Sequence, residues 1–382
     1  MGSWPDVTPW RGLDAFDRRH SPWTGDHRLA PLGPVEEPVP WPPSMSWPDG
    51  AAPSARIVAL DIETTGLGGA AAVAFQVGLA WREPDGAVHV RQFLAPDLPD
   101  EALLLERLEA ELGREPTRLV TYNGDAFDLP FLRVRARMHG IRLHLPPALD
   151  LLAHTRRLYR DRDGSCRLGH LEATRLGHVR ADDLPGALVP QVYYDFLRRQ
   201  EESLLEPVLR HNAWDLVATL GLLWQAALDL HPDALVGRDG ADLFGLFRAL
   251  ASSGDHAGAR AALEACLRSD PSPALARQAR RRLSALYRRG GDAARRHVLW
   301  REAAARAEAP PEHLVEWAKI LEHELHDPAA ALRVAQTAEV RMRAQARLMG
   351  RAPADADVRA LERRITRLEH RLARQKARGR IS

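Results

Sequence analysis

The chain has 382 residues, of which 45% are hydrophobic and 27% are charged, a composition typical of soluble globular proteins with two or three domains. No apolar run reaches about 18 residues, so we expect neither a transmembrane helix nor a membrane partner. The N-terminus lacks the pattern of a signal peptide. The two cysteines, Cys166 and Cys266, form neither a metal-ligand pair nor a disulfide framework, and we expect a cytoplasmic location.

Charge is divided unevenly along the chain. Residues 1–240 hold 25 basic and 34 acidic residues, a net charge of −9. Residues 241–382 hold 28 basic and 17 acidic residues, a net charge of +11. This asymmetry predicts different roles for the two parts, with the basic part attracting nucleic acid.

The first segment, residues 1–54, contains 11 of the 28 prolines and five of the ten tryptophans. Such a composition excludes regular helix and interior strand. We interpret it as an extended N-terminal arm that packs some aromatic residues on the following domain. A peptide-recognition segment around PVPWPPSMSWP and simple disorder are the alternatives.

From residue 56 onward, strand and helix patterns alternate. Strands are predicted in RIVALDI, in TRLVTYNG, and in a hairpin of AAVAFQVGLAWRE and GAVHVRQFLA that turns at Pro84, Asp85 and Gly86. Helices are predicted in DEALLLERLEAELG, in DLPFLRVRARMHG and around 150–160, 168–177, 188–200 and 203–229. This order predicts an α/β domain over 55–232, with a mixed sheet flanked by helices as in a ribonuclease H-like core.

Residues 240–382 have an almost entirely helical pattern with a weak repeat. Asp255, Asp292 and Asp327 each follow a helix break and are expected to open a helix. Their spacing is close to the period of about 34 residues of tetratricopeptide hairpins, so we predict a tetratricopeptide-like helical domain. The apolar seam of the last helix fits a cap on the preceding hairpin or, alternatively, a dimer contact: Val358, Leu361, Ile365, Leu368 and Leu372.

Two carboxylates end the first strand of this α/β domain. Asp61 and Glu63 are two residues apart, so both side chains leave the same face of the strand. Unpaired like charges in such a place cost free energy and raise a pKa. A solvated surface pair is the simplest interpretation of these two residues alone.

Two later segments carry further polar residues. YNGDAFDLPFL places Asn123, Asp125 and Asp128 between a strand and a helix, where a carboxylate often serves only as a helix cap. LRHNAWDLVATLGLL places His211 and Asp215 four residues apart, hence on one face of a helix. Each pair taken alone is compatible with an ordinary surface contact.

Together the three segments resemble the three exonuclease motifs of the DnaQ-like, or DEDD, superfamily. The strings LDLLAHTRRLYR, GSCRLGHLEATRLGHVRADDLPGALVPQVYYDFL and HNAWDL further resemble the YprB-type ribonuclease H-like domain, over about residues 56–225. The residues that match the three motifs in order are Asp61, Glu63, Thr65 and Gly66, then Asn123, Phe127 and Asp128, then His211 and Asp215.

This resemblance implies a metal-dependent 3′→5′ exonuclease that cleaves DNA or RNA by a two-metal mechanism. Asp61, Glu63, Asp128 and Asp215 would hold two Mg²⁺ or Mn²⁺ ions, which prefer carboxylate oxygens and can clamp both reacting oxygens of a phosphodiester. His211 would act as base or position the water. Its spacing departs from the family pattern, because three residues separate it from Asp215, as in the tyrosine branch rather than the histidine branch.

The resemblance also assigns substrate contacts. Thr65, Gly66 and Leu67 would meet the terminal nucleotide, and Asn123 would orient the substrate or the neighbouring strand. Asp150 is expected to cap a helix or to support the site, whereas Asp125 is not expected to bind metal.

Two other functions stay open from the sequence. A non-catalytic scaffold would use the nuclease-like fold and the helical repeats to hold nucleic acid or a protein partner, and a structure-specific endonuclease would cut within a strand. The intact set of four carboxylates favours the enzyme, with single-stranded nucleic acid or 3′ ends as substrate.

Overall fold

The computed structural model describes residues 23–29, 56–66, 71–83, 86–231, 235, 237–306, 309–348 and 355–378. Within the chain, two compact units are distinguished, Met1–Ala262 and Leu263–Ser382. Three residues of the sequence predictions, Leu67, Pro84 and Asp85, lie outside the described residues, as does the predicted N-terminal arm apart from residues 23–29.

The first unit contains a mixed sheet of six described strands in the order β1-β4-β3-β2-β5-β6. Strand β2 pairs in parallel with β5, and β5 pairs in parallel with β6. The other neighbours are antiparallel. The bounds are β1 (Trp23–Leu29), β2 (Arg56–Thr64), β3 (Ala74–Arg82), β4 (Val88–Leu94), β5 (Thr117–Thr121) and β6 (Ala148–Asp150).

Two helices, α1 (Glu101–Leu112) and α2 (Asp128–Met138), pack on one face of this sheet. Val58, Leu60 and Ile62 of β2 point into that core beside Leu105 and Leu132. The intervening residues of β2 therefore point to the opposite face, as a period of two requires. This alternation places Asp61 and Glu63 on the opposite face of the strand.

The opposite face is covered by α5 (Val189–Arg199) and α6 (Glu206–Asp229). Phe75 of β3 stacks on Tyr193 of α5, with ring centroids 3.9 Å apart, and both side chains are fully buried. Gly78 of β3 has no side chain to hold α6 away from the sheet. These contacts fix α6 against the sheet beside the end of β2.

The predicted mixed sheet with flanking helices is confirmed, and two short strands were not foreseen. Strand β1 falls within the proline-rich arm and lies at the edge of the sheet, the position in which proline-rich sequence is tolerated. Strand β6 has only three residues, which is too short for a period-two pattern to be recognised.

The remaining helices of the first unit are α3 (Leu151–Asp163), α4 (Leu168–Leu171) with a π-helical turn over Glu172–Leu176, and α7 (Gly240–Ser252). Helix α7 packs closely on α3, since a Cβ atom on Gly245 would collide with the carbonyl oxygen of Leu158. The domain boundary predicted between 232 and 240 stays a prediction. The first compact unit continues past it, to Ala262.

Helices alone form the described part of the second unit, beyond α8 (His256–Arg268), which spans the division. As predicted, Asp255, Asp292 and Asp327 each cap a helix by accepting a backbone N–H. Within the described residues no helix is long and apolar enough to cross a membrane. The helices of this unit are α9 (Pro273–Arg289), α10 (Ala293–Ala305), α11 (Pro311–His323), α12 (Pro328–Leu348) and α13 (Asp355–Arg378).

The apolar seam of α13 faces the preceding helices. Leu361 and Leu368 are buried in one cluster with Leu321 of α11 and Val334 of α12. This packing favours the cap over the dimer contact, because the central seam residues are already covered within the chain. The tetratricopeptide-like character of the unit remains a prediction.

Candidate active site

The site begins at the end of β2, where buried and partly exposed residues alternate. Asp61 and Glu63 are partly exposed, while Leu60 and Ile62, before and between them, are buried. The core side of the strand thus anchors the backbone, and the two carboxylates share the other face. The sequence prediction that they point the same way agrees with this alternation.

Asp128 joins this pair from a different element. It is the first residue of α2 and is 6% exposed, and its Oδ1 accepts a hydrogen bond of 3.2 Å from the backbone N–H of Ile62. Burial raises the pKa of Asp128 to about 7, against the backbone N–H groups that lower it. A carboxylate so reluctant to ionise marks a place where another positive partner would be favourable.

Helix α6 contributes the third group of side chains. His211 and Asp215 lie one turn apart, and Nε2 of His211 is 3.7 Å from Oδ2 of Asp215. Between them in sequence, the fully buried Asn212 donates a hydrogen bond of 2.8 Å to Oδ2 of Asp61. Asn212 also accepts a 2.8 Å hydrogen bond from Gln92 of β4, which orients its amide.

The four carboxylates interact electrostatically. Burial raises the pKa of Asp61 well above its usual range, and the charges of Asp215, Asp128 and Glu63 raise it further. Burial likewise raises the pKa of Glu63 well above its usual range, with Asp215 and Asp128 adding to the effect. The three sequence segments are therefore brought to one place, where they create an excess of negative charge.

The present side-chain positions do not form a ready-made cage. Within the described ranges, no three acidic, histidine or cysteine side chains are grouped as metal ligands. Protein partners hold two of the four carboxylates, because Asn212 donates to Asp61 and Arg180 donates to Asp215 at 2.6 Å. Carboxylate oxygens nevertheless suit hard divalent cations, so the donor chemistry fits Mg²⁺ or Mn²⁺ once these side chains turn inward.

A segment between the π-helical turn and α5 supplies two residues that the motifs did not include. Arg180 forms ion pairs with Glu172, Asp183 and Asp215. Asp183 in turn lies 2.8 Å from Nδ1 of His211. Within the sequence, RADDLPG carried the family resemblance, but nothing in its spacing connected it to α6.

The predicted substrate residues lie on two turns beside the carboxylates. Thr65 accepts a hydrogen bond of 2.9 Å from the backbone of Val73 through its hydroxyl, so this hydroxyl holds the turn. Gly66 follows it and accepts from the hydroxyl of Thr64. Asn123 adopts a left-handed backbone conformation with φ of 70°, which a turn requires and asparagine tolerates.

Asp150 performs both roles that the sequence left open. Its Oδ1 caps α3 by accepting from the N–H of Leu152 at 2.9 Å. The same carboxylate accepts from the backbone N–H groups of Asn123 and Asp125, at 2.8 Å and 3.3 Å. It thereby fixes the turn that precedes Asp128.

An acidic cluster at the end of the central strands of a mixed sheet, with a further carboxylate from a covering helix, defines a ribonuclease H-like domain. Residues 58–226 match the family described as RNase_H superfamily. The chain therefore contains a ribonuclease H superfamily domain, which supports a hydrolase that acts on nucleic acid, and the predicted family is confirmed.

Two relatives of known sequence match parts of the chain. The protein named Uncharacterized protein YprB of Bacillus subtilis (strain 168) is 39% identical over 166 residues, which cover 42% of this chain and 40% of that protein. A catalytic polypeptide of DNA polymerase epsilon from Dictyostelium discoideum is 52% identical over 44 residues, or 11% of this chain and 2% of that protein. The chain thus spans less than half the length of either relative.

Proposed function

We propose that this protein is a metal-dependent 3′→5′ exonuclease that hydrolyses phosphodiester bonds of DNA or RNA. The observation that carries the proposal is the convergence of Asp61, Glu63, Asp128 and Asp215 from three segments, such that their charges raise one another's pKa. A fold gains no stability from crowding like charges, so such a cluster calls for a functional reason.

These four carboxylates would hold two divalent cations, Mg²⁺ or Mn²⁺. When bound, a pair of such ions activates the attacking oxygen and stabilises the leaving oxygen of a phosphodiester. The protein's own contribution is to place the ligands: β2 fixes two of them, the start of α2 fixes Asp128, and α6 fixes Asp215.

His211 would take a proton from the attacking water. Its Nε2 faces Asp215 at 3.7 Å, close to the carboxylates, and an imidazole has an ordinary pKa near neutrality. The turns at Thr65 and Asn123 would contact the terminal nucleotide, with Leu67 as a further predicted contact.

Nucleic acid would be attracted by the helical unit, which carries most of the positive charge. A cavity of about 730 Å³ in that unit is lined by Arg277, Arg281 and Arg288 of α9. These three arginines are exposed and, within the described residues, no hydrogen bond or ion pair engages them. We infer that they contact phosphates.

The decisive experiment incubates purified protein with DNA and RNA labelled at the 3′ or the 5′ end, in the presence of Mn²⁺ or Mg²⁺. Stepwise loss from the 3′ end is expected, and Asp61→Ala together with EDTA should stop it. Internal cuts would favour the endonuclease. Binding without any cleavage would favour the scaffold.

A further inference from the structure

Arg180 is the hub of an ion-pair network next to the predicted site. Its guanidinium donates from Nε to Glu172 at 2.6 Å, from Nη1 to Asp183 at 3.1 Å and from Nη2 to Asp215 at 2.6 Å. The side chain is 9% exposed and lies 5.7 Å from the ring centre of Trp214. Three different nitrogens thus hold three different carboxylates.

Glu172 anchors this network to the fold. Its side chain is 1% exposed, and it accepts from both Arg180 and His178, each at 2.6 Å. The guanidinium therefore cannot follow Asp215 freely. Instead, Asp215 is held at the position that Glu172 and Arg180 dictate.

Asp183 extends the network to His211. Its Oδ2 accepts from Arg180, and its Oδ1 lies 2.8 Å from Nδ1 of the imidazole. Pairing with a carboxylate places the ring proton on Nδ1 and leaves Nε2 free to accept one. Nε2 is the atom that faces Asp215, and the small Gly186 leaves room beside it, since even a Cβ atom at position 186 would lie 3.7 Å away.

We propose that Asp183 and Arg180 are positioning residues of the nuclease site. Asp183 sets the tautomer and orientation of His211, and Arg180 holds Asp183 and Asp215 at a fixed separation. This inference rests on the proposed nuclease function. It explains how a histidine with three residues between it and Asp215, rather than four, is still presented to the reacting centre.

Arginine suits this role because its planar fork donates in several fixed directions. A lysine at position 180 would keep the charge but could not reach three carboxylates at once. A network that only balanced charge would therefore tolerate Arg180→Lys, whereas a positioning network would not. Partners that orient a metal ligand in this way typically contribute about 10–100-fold to metal affinity or activity.

The first test is steady-state kinetics with Mn²⁺ on the full chain. Asp183→Asn is expected to lower kcat by about 10–100-fold with KM nearly unchanged, and to add little to the loss caused by His211→Ala. The neighbouring, exposed Asp182 provides the matched control, Asp182→Asn, which should leave kcat unchanged. Full activity of Asp183→Asn, or a loss that multiplies with that of His211→Ala, would overturn the role of Asp183.

Arg180→Lys and Arg180→Gln test the fork. Both should lower kcat, and both should lower it further when combined with His211→Ala, because each also releases Asp215. Calorimetric titration with Mn²⁺ should detect weaker binding in both variants but not in Asp183→Asn. Recovery of activity and Mn²⁺ affinity in Arg180→Lys would reduce Arg180 to a source of charge.

A readout independent of cleavage comes from ¹⁵N NMR of the histidine side chains without metal. The His211 signals are assigned by their loss in His211→Ala. We expect the Nδ1–H tautomer in the unchanged chain and loss of this preference in Asp183→Asn. Detection of this shift in a chain that cleaves nothing would refute the nuclease while leaving the contact intact; cleavage without the shift would refute the positioning role.

Discussion

Gly78 of β3 and Asn212 of α6 lie so close that a Cβ atom on Gly78 would collide with Oδ1 of Asn212 and approach Cδ1 of Leu216 to 2.5 Å. Gly78 is also the register partner of Asp61 in the neighbouring strand. The missing side chain at position 78 therefore sets how closely the helix with His211 and Asp215 can approach the strand with Asp61.

This contact predicts that Gly78→Ala lowers both stability and activity. Displacing Asn212 costs about 1–3 kcal/mol of unfolding free energy, as overpacking of a core usually does, and it moves α6 away from β2. Urea unfolding and Mn²⁺-dependent cleavage measure the two effects. Gly169→Ala is the control, since no atom lies within 4 Å of a Cβ there; equal behaviour of the two variants would contradict the prediction.

Neutralising Asp128 should separate stability from activity. Its pKa is raised to about 7, so at pH 8 the folded state carries a charge that its surroundings disfavour, and this cost disappears as the pH falls below 7. Asp128→Asn should therefore abolish cleavage yet raise the melting temperature in EDTA at pH 8, with a smaller gain at pH 5.

Thermal unfolding in EDTA at the two pH values measures this gain. The asparagine keeps an oxygen for the N–H of Ile62, so the hydrogen bond is not lost with the charge. Retained cleavage in this variant, or in EDTA, would rule out the two-metal proposal. A melting temperature that is lower at pH 8 would show that Asp128 serves the fold.

Outside the site, Glu101 and Arg135 form a buried ion pair that joins α1 to α2. Glu101 is fully buried and accepts from Nε of Arg135, from the N–H of Ala74 and from His139. Burial alone would raise the pKa of Glu101, but the hydrogen bonds from Arg135 and His139 outweigh it and lower the pKa. The ionised pair thus stabilises the fold above the usual pKa of glutamate and stops doing so as the pH falls through the lowered value.

Glu101→Gln should therefore cost about 3–5 kcal/mol at pH 7, because it leaves Arg135 buried without a charged partner. The difference in unfolding free energy from the unchanged chain should shrink as the pH is lowered toward 3. Glu109→Gln on the same helix is the matched control, since its pair with His144 is more exposed and worth at most about 1 kcal/mol. A pH-independent difference would contradict the role given to the charge.

Much of the fold was predictable because its signals are local. The run that ends in Asp61 and Glu63 is a strand, and each of the three helix-opening aspartates of the second part caps its helix. Arg180 and Asn212 could not be placed this way. Their partners lie 35 residues away at Asp215 and 151 residues away at Asp61, and such distant pairings are set by packing, not by spacing along the chain.

The helical unit should supply much of the electrostatic attraction to nucleic acid through Arg277, Arg281 and Arg288 in its cavity. Each phosphate contact contributes about 0.7–0.9 to the slope of log affinity against log salt. Replacing the three arginines by serine in the full chain should weaken binding of labelled single-stranded DNA and reduce that slope by about 2–3, without loss of Mn²⁺-dependent cleavage at high enzyme concentration.

A second triple variant keeps the change in net charge the same. Arg363, Arg371 and Arg374 of α13 are outside the residues that line the cavity, and all three are exposed, so their replacement by serine removes charge without removing cavity contacts. Fluorescence anisotropy at several salt concentrations then compares the slopes. A smaller slope for the cavity variant alone supports phosphate contacts at α9, because the charge lost is identical. Equal reductions would mean that the net charge, rather than the cavity, attracts nucleic acid, and slopes unchanged in both would assign the helical unit to a protein partner.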